Sequence, residues 1–298
     1  MHYATGMVHD KSQNIYSLLI VLQSIIFAFI DVLGKIAFKY VDVVPFLAMR
    51  FCIATMVLLL LYGKTTMKEI KTVSPRHYLI PAICLSTSII MSNIAIRITA
   101  ATTYSFVRNL TALIVPMLMC VFFKRKYTVF DLVLQTVLVV GLYLLCIKGG
   151  ASKFGFGEVL ALGAAVLVSI TLVWGADSVK FVSSTTLTTV QMGLGMITIT
   201  VFGLLGEKIQ NASYANFLMP KVILILLFNS LIGTVVGYMI QNIALKHISS
   251  KVVGIVQSAY PVATFITAHF MIDEDLNALG LIGAVLVLGC VVTQSYRD

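Results

Sequence analysis

Asn93-Ile-Ala-Ile-Arg-Ile-Thr-Ala-Ala101 and Asn242-Ile-Ala-Leu-Lys-His-Ile-Ser-Ser250 are two versions of one nine-residue phrase. The second begins 149 positions after the first (242 against 93) in a chain of 298. Each closes one long apolar run and opens the next, and each has a basic residue in the same slot, Arg97 and Lys246. Such a repeat implies a chain made of two copies of one unit. In a chain this apolar, two related halves point towards a membrane carrier.

Composition leaves little room for a soluble reading. Hydrophobic residues make up 59% and charged residues 11%, roughly half the charged share of a soluble domain. Mean hydropathy is +0.99. The formal charge of +9 would suggest nucleic acid in a soluble protein. Here the basic residues sit mostly between apolar runs, as topology selection produces, so no nucleic-acid partner is expected. Cys52, Cys84, Cys120, Cys146 and Cys290 all fall in apolar stretches without CxxC spacing. They read as small buried hydrophobes rather than a disulfide framework or thiolate metal site, and neither metal nor cofactor is expected.

A helix needs about 20 apolar residues to span the hydrocarbon. Ten such runs can be counted, near 15–37, 43–62, 77–96, 99–121, 127–147, 157–180, 185–205, 219–243, 249–271 and 277–295. Short polar breaks such as Gly63-Lys64-Thr65-Thr66 and Lys124-Arg125-Lys126 separate them. The first run lacks the short apolar core and small-residue cleavage site of a signal peptide, and reads as a retained span. With the N-terminus in the cytoplasm, that side receives twelve Lys and Arg, including Lys64, Lys124 and Lys251, while the opposite side receives six. The bias favours a multi-pass protein of the cell (inner) membrane with both termini cytoplasmic.

The halves meet near Ala151, in Lys148-Gly-Gly-Ala-Ser-Lys-Phe-Gly. An odd number of spans per half makes the second copy enter the membrane upside down. The expected fold is therefore an all-α integral membrane protein of ten transmembrane helices in two inverted five-helix repeats, 1–150 and 151–298. Further matches support it. Gly34, Lys39, Tyr40 and Val41 correspond to Gly175, Lys180, Phe181 and Val182 at a spacing of 141, and Gly141 and Gly289 both fall late in the last span of their half.

At this point the chain resembles the drug/metabolite transporter superfamily, specifically its EamA-type ten-helix members. Span two reads Pro45-Phe-Leu-Ala-Met-Arg-Phe51, similar to the family's proline-then-arginine second helix. Span four has Pro116, about four residues later than the matching proline of the second half. The strongest stretch starts at Ser258, with Pro261, an acidic residue thirteen positions on (Glu274), and a glycine-spaced tenth helix at Gly283 and Gly289. The resemblance covers nearly the whole chain as a pattern. It implies a transporter of small organic solutes, with a cavity lined chiefly by helices 1, 3, 4, 6, 8 and 9 and with helices 5 and 10 peripheral.

Intramembrane charges are functional candidates because each costs several kcal/mol or more in hydrocarbon. Asp31 and Lys35 lie four apart on one face of span one, placed to pair with each other or to leave Lys35 reaching for the interface. Arg108 lies near the middle of span four, where it needs a carboxylate, carbonyls or water. Tyr104, Arg108 and Thr111 share one face, and the 149 spacing puts Val253, Gln257 and Tyr260 on the matching face of span nine. Two such stripes would frame a midplane pocket in which a guanidinium grips a carboxylate or phosphate. The other reading of Arg108 is an internal salt bridge to Asp31 or Asp177, and Asp177 itself, near the cytoplasmic end of span six, reads as snorkelling, as a helix-end pair or as cavity lining. Arg50 matches the resemblance's second-helix arginine and reads as structural. His269 could relay protons or simply pack. In span eight Asn229, Gly233, Gly237 and Gln241 make an i+4 stripe suited to close packing. Trp174, Tyr104 and Tyr260 could form an aromatic face for a cation. Asn211-Ala-Ser213 fits the glycosylation pattern. The expected substrate-binding set is Asp31, Lys35, Asn93, Tyr104, Arg108, Thr111, Trp174, Asp177, Gln241, Gln257 and Tyr260.

There is no ATP-binding P-loop, H-E-x-x-H or G-x-S-x-G motif, so an enzyme is not expected. The reading is a secondary transporter of a small metabolite, an amino acid or other solute with an anionic group preferred, moved by alternating access. Its energy would come from protons or another gradient, or from exchange with a counter-substrate. The alternative is an exporter of cationic or amphiphilic drugs such as quaternary amines. A helper subunit of a larger complex is the reading outside transport. Oligomeric state is left open.

Overall fold

The computed structural model describes residues 2–124, 128–146, 155–205, 214–273 and 278–295. Arg125, Lys126, the 148–153 connection, Lys208, Asn211–Ser213, Glu274 and Arg297 lie outside them, and so do the readings placed on those residues. Among the described residues every element is helical.

Helix α1 covers His2–Ala37, α2 Val43–Thr72 and α3 Arg76–Ile98. The fourth span comes in two pieces, α4 (Ala101–Arg108) and α5 (Thr111–Phe123), and α6 (Val129–Cys146) follows. The second half opens with α7 (Phe156–Ser178) and α8 (Ser184–Leu205). Its third span is α9 (Pro220–Phe228) and α10 (Gly237–His247), joined by a π-helical segment Asn229–Val236. The last spans are α11 (Ser250–Val256) with α12 (Ala259–Ile272), and α13 (Ala278–Ser295).

Among the described residues eight stretches are long and apolar enough to cross a bilayer, and α6 and α13 are shorter apolar helices. Their 18 described residues extend about 27 Å, just under a hydrocarbon core of about 30 Å. Gly63-Lys64-Thr65-Thr66, expected as a break, lies inside α2. One glycine costs a helix only about 1 kcal/mol, and the far end of α2 is anchored. There Glu69 Oε2 accepts from the Ser183 N–H at 2.8 Å and the Ser183 hydroxyl at 3.0 Å, at the start of α8, where a carboxylate is favoured.

The two interrupted spans break at matching places. Pro261 has no N–H for the carbonyl four residues back, and Gln257 O takes the Tyr260 N–H at 2.9 Å. In the fourth span the chain overwinds just before Pro116, with Ala112 N bonded to Asn109 O at 3.0 Å and Leu113 N to Leu110 O at 2.9 Å. Both spans end on a non-glycine residue in the left-handed region, Lys124 at φ 50° and Asp273 at φ 54°. Their N–H groups bond Met119 O and Ala268 O. The caps and the carbonyls they bond repeat at the spacing of 149 read from the sequence, and the breaks fall within one residue of it.

Matching spans pack on each other in opposite directions. In α2 and α8, Gly195 faces the Phe51 ring and Gly193 faces Thr55. In α6 and α13, Leu134 O accepts from Cys290 Sγ at 3.7 Å while Gly141 abuts Gly283 O. In the interrupted pair α4 packs on α12 and α5 on α11. Around these pairs α3 packs on α7, and α1 lies along α9 and α10. A Cβ on Gly233 would stand 2.5 Å from Ile30 Cδ1, and one on Gly237 would stand 2.5 Å from Phe27 Cε1. The glycine stripe of span eight is thus the groove that seats α1.

Candidate functional site

The break in the fourth span follows Arg108, and the break in the ninth follows Val256, at Gln257. Discontinuous helices of this kind present polar groups at the middle of a bundle. From there Arg108 places its guanidinium carbon 5.3 Å from the centroid of the Tyr260 ring, within cation–π range. The Tyr260 hydroxyl donates to Asp31 Oδ2 at 2.7 Å. Arg50, 3% exposed, donates from Nε to Thr234 Oγ1 at 2.6 Å. Thr234 Oγ1 in turn donates to Asn229 O, five residues back on the π turn, at 2.9 Å.

Asp31, Arg50, Tyr104, Arg108 and Tyr238 line one central cavity of about 20 Å³ together with Asn93. A second, of about 10 Å³, lies on the other side of Arg108 against Gln257, Tyr260, Asn109 and Thr111. Each has room for about one water, so the bundle is closed around its charges. Among the described residues, no ion pair within 4.0 Å joins Asp31 to either arginine. Two guanidiniums therefore face one carboxylate, a net charge of +1 on residues lining one cavity. Arg108 Nε is buried without a hydrogen-bond partner among the described residues. A buried charged donor left unmatched is costly, and the missing partner is an acceptor.

The expected residues divide into two groups. Asp31, Asn93, Tyr104, Arg108, Gln257 and Tyr260 come together at the centre. Gln241 joins them from one turn away by accepting from Gln23 Nε2 and Gln257 Nε2 at 3.0 and 3.1 Å. Thr111 lines the smaller cavity but gives its hydroxyl to Arg108 O and Ala165 O, because the overwound turn rotates it out of register with Arg108. Val253, which answers to Tyr104 at the 149 spacing, is fully buried in an apolar cluster.

Other expectations need correction. Lys35 does not pair with Asp31, and its Nζ donates to Thr99 O at 2.6 Å, towards the far end of α1. Trp174 does not join Tyr104 and Tyr260 in an aromatic cage. Its ring meets Phe122 and Phe123 at 5.2 and 5.8 Å. Asp177 does not bridge to Arg108 and pairs with exposed Lys180 at 3.0 Å. Both residues of that pair line a vestibule of about 190 Å³, with Leu245 and Ser250 on its other wall. His269 is in the last turn of α12, its ring 5.2 Å from Phe270, and lines neither central cavity.

Arg50, Tyr238 and Gln23 also lie at the centre and are outside the expected set. Arg50 is legible in the sequence as a deep charge, although its place in the second-helix pattern reads as structural. Tyr238 directly follows Gly237 of the packing stripe in span eight, and Gln23 bears no charge to draw notice. A rule treating every buried polar side chain of an apolar run as a candidate finds Gln23 and Arg50. A roomier cavity, about 580 Å³ between α2 and α8, is lined by Pro45, Met49, Cys52, Met196 and Val201 among others. It contains no charged side chain, and its α2 residues lie, by helical spacing, on the face away from Arg50.

Comparison with known proteins agrees with this architecture. A solved crystal structure superposes with a TM-score of 0.71 over 95% of this chain and 96% of its own, at 15% identity, a likeness of fold alone. No curated protein matches the sequence. The EamA-like transporter family matches twice, over residues 14–147 and again over 155–295. The chain thus belongs to the EamA-like transporter family, and is a multi-pass membrane transporter of the drug/metabolite transporter superfamily built from two EamA repeats.

Proposed function

We propose that this chain is a secondary transporter that moves a small organic solute with an anionic group by alternating access. The observation that carries the reading is the central cavity itself: Arg50 and Arg108 face a single carboxylate, with Arg108 Nε unpartnered among the described residues. A carboxylate or phosphate would supply that acceptor through two parallel hydrogen bonds. Amino acids and organic acids both meet the requirement.

The two repeats, 1–150 and 151–298, would lie upside down to one another, as the opposed packing of α2 on α8, α4 on α12 and α6 on α13 supports. Inverted copies can exchange shapes, opening the closed centre to one side and then the other. Asp31 would hold Tyr260 while the site is empty and release it as cargo competes for Arg108. With both termini in the cytoplasm of a cell-membrane protein, the vestibule at Asp177 and Lys180 faces inward. Protons or a counter-substrate would drive the cycle.

The test is a thermal-shift screen of purified protein against amino acids, organic acids, nucleotides and quaternary amines, followed by flux of the best compounds into liposomes containing this chain alone. Stabilisation by anions and their saturable flux are expected. Stabilisation by quaternary amines with no response to anions would overturn the reading in favour of cation export.

A further inference from the structure

Three glutamines from three different spans meet beside the charged cavity. Gln23 Nε2 donates to Gln241 Oε1 at 3.0 Å, Gln257 Nε2 to Gln23 Oε1 at 3.1 Å, and Gln257 Nε2 also to Gln241 Oε1 at 3.1 Å. Gln23 is 0% and Gln241 2% exposed. The ring of bonds is incomplete among the described residues: Gln241 Nε2 is buried with no acceptor, and no group donates to Gln257 Oε1. One free amide donor and one free amide acceptor remain where every polar group needs a partner.

The placement of the cluster argues against plain helix-to-helix glue. Gln257 lines the same small cavity as Arg108 and Tyr260. Gln241 is one turn from Tyr238, which lines the charged cavity, and one turn in the other direction from Leu245 of the vestibule. The amides therefore stand between the vestibule and the arginines. The repeat makes the contrast sharper. Gln257 occupies in the second half the position of Arg108 in the first, as the adjoining pair Asn109 and Ser258 shows at a spacing of 149. The centre has one charged end and one uncharged hydrogen-bonding end.

We propose that Gln23, Gln241 and Gln257 are a second subsite, which binds an uncharged hydroxyl or amide of the cargo while its anionic group sits on Arg108. The cargo is then a polar organic anion, hydroxylated or amide-bearing, and not a simple fatty or aromatic acid. This rests on the anionic reading above. In the empty protein the amides bond one another, short of one donor and one acceptor, and close the passage. Cargo replaces those bonds and fills the free donor and acceptor. A site built around hydrogen bonds discriminates strongly against an analogue that lacks them, because its own groups are then left unpaired.

Gluconate and hexanoate have the same carbon count and the same charge, and differ in hydroxyls. With wild-type protein in detergent, gluconate should reach half-maximal thermal stabilisation at about tenfold lower concentration than hexanoate. In Gln241→Met/Gln257→Met the preference should collapse while the hexanoate response persists. The unbranched thioether side chain keeps the volume and removes the cluster's free donor and free acceptor, leaving Gln23 as its one amide, and Gln257→Asn, a shortened amide, serves as an independent second variant with a weakened preference. Equal responses to the two acids in wild type, or an undiminished preference in the methionine variant, overturn the subsite alone. Absence of any response to either acid, in wild type as in Arg108→Ala, overturns the anionic reading and this inference with it.

Discussion

Asn109 donates from Nδ2 to Ser258 Oγ at 2.9 Å, and the two stand 149 positions apart, the period of the sequence repeat. Residues that correspond in two copies of a unit touch each other only near the axis relating the copies. That axis passes through the breaks of the fourth and ninth spans, next to Arg108 and Gln257. Two breaks in regular helix thus lie beside the symmetry axis. Asn109→Ala and Ser258→Ala should each lower stability by about 0.6 kcal/mol, the usual size of such a bond between membrane helices. The double variant should lose little more than either single one. Thermal unfolding in detergent measures the cycle, and strictly additive losses would mean the contact contributes nothing.

Arg108→Ala should abolish or redirect transport while the protein still inserts, since Arg108 lines the cavity and its Nε is a buried donor with no partner among the described residues. Arg108→Lys should fail to restore it. An ammonium is a point charge without the planar fork that matches a carboxylate. A loss of at least tenfold in liposome flux is expected for both, about 1.4 kcal/mol or more of lost interaction. Flux unchanged in Arg108→Ala would leave the arginine a structural role.

The helices, the repeat and the midplane charge can be read without coordinates because each rests on one-dimensional information: run length, spacing, and depth within a run. Asn93, Arg108 and Tyr260 follow from it. Side-chain direction is less accessible. Tyr104, Arg108 and Thr111 share a face on an ideal helix, yet the overwound turn at Asn109–Leu110 turns Thr111 towards Ala165. Trp174 and Asp177 depart from expectation for a different reason. Position along α7 does not say whether a side chain faces the centre or a vestibule near the helix end. The glutamine cluster depends on three spans meeting, and no spacing within one run encodes that.

Gly233 seats α1 at Ile30, one residue before Asp31. Any Cβ there would meet Ile30 Cδ1 at 2.5 Å and Cγ2 at 3.0 Å. The branch point of Ile30 cannot turn away freely, so Gly233→Val should destabilise the protein by about 1–3 kcal/mol through overpacking. Because Ile30 and Asp31 are adjacent, flux should fall further than stability alone explains. Ile30→Ala in the same chain should recover part of both losses. Thermal midpoints and liposome flux of the single and double variants decide it, and a double variant no better than Gly233→Val would place the damage elsewhere.

Five spans in the first half, as the proposed inverted repeat has it, would require residue 149 and the N-terminus to face opposite sides of the membrane. The opposed packing of α6 on α13 gives this a physical basis. Two copies inserted the same way up could not bring Leu134 to Cys290 and Gly141 to Gly283 with their matching helices antiparallel. In a background lacking the five native cysteines, Gly149→Cys should react with a membrane-impermeant maleimide added outside intact cells. Thr5→Cys and Arg297→Cys should react only after permeabilisation, as the excess of Lys and Arg on that side predicts. Labelling of all three positions from one side would exclude an inverted repeat. The exchange of shapes between halves would then have no structural basis.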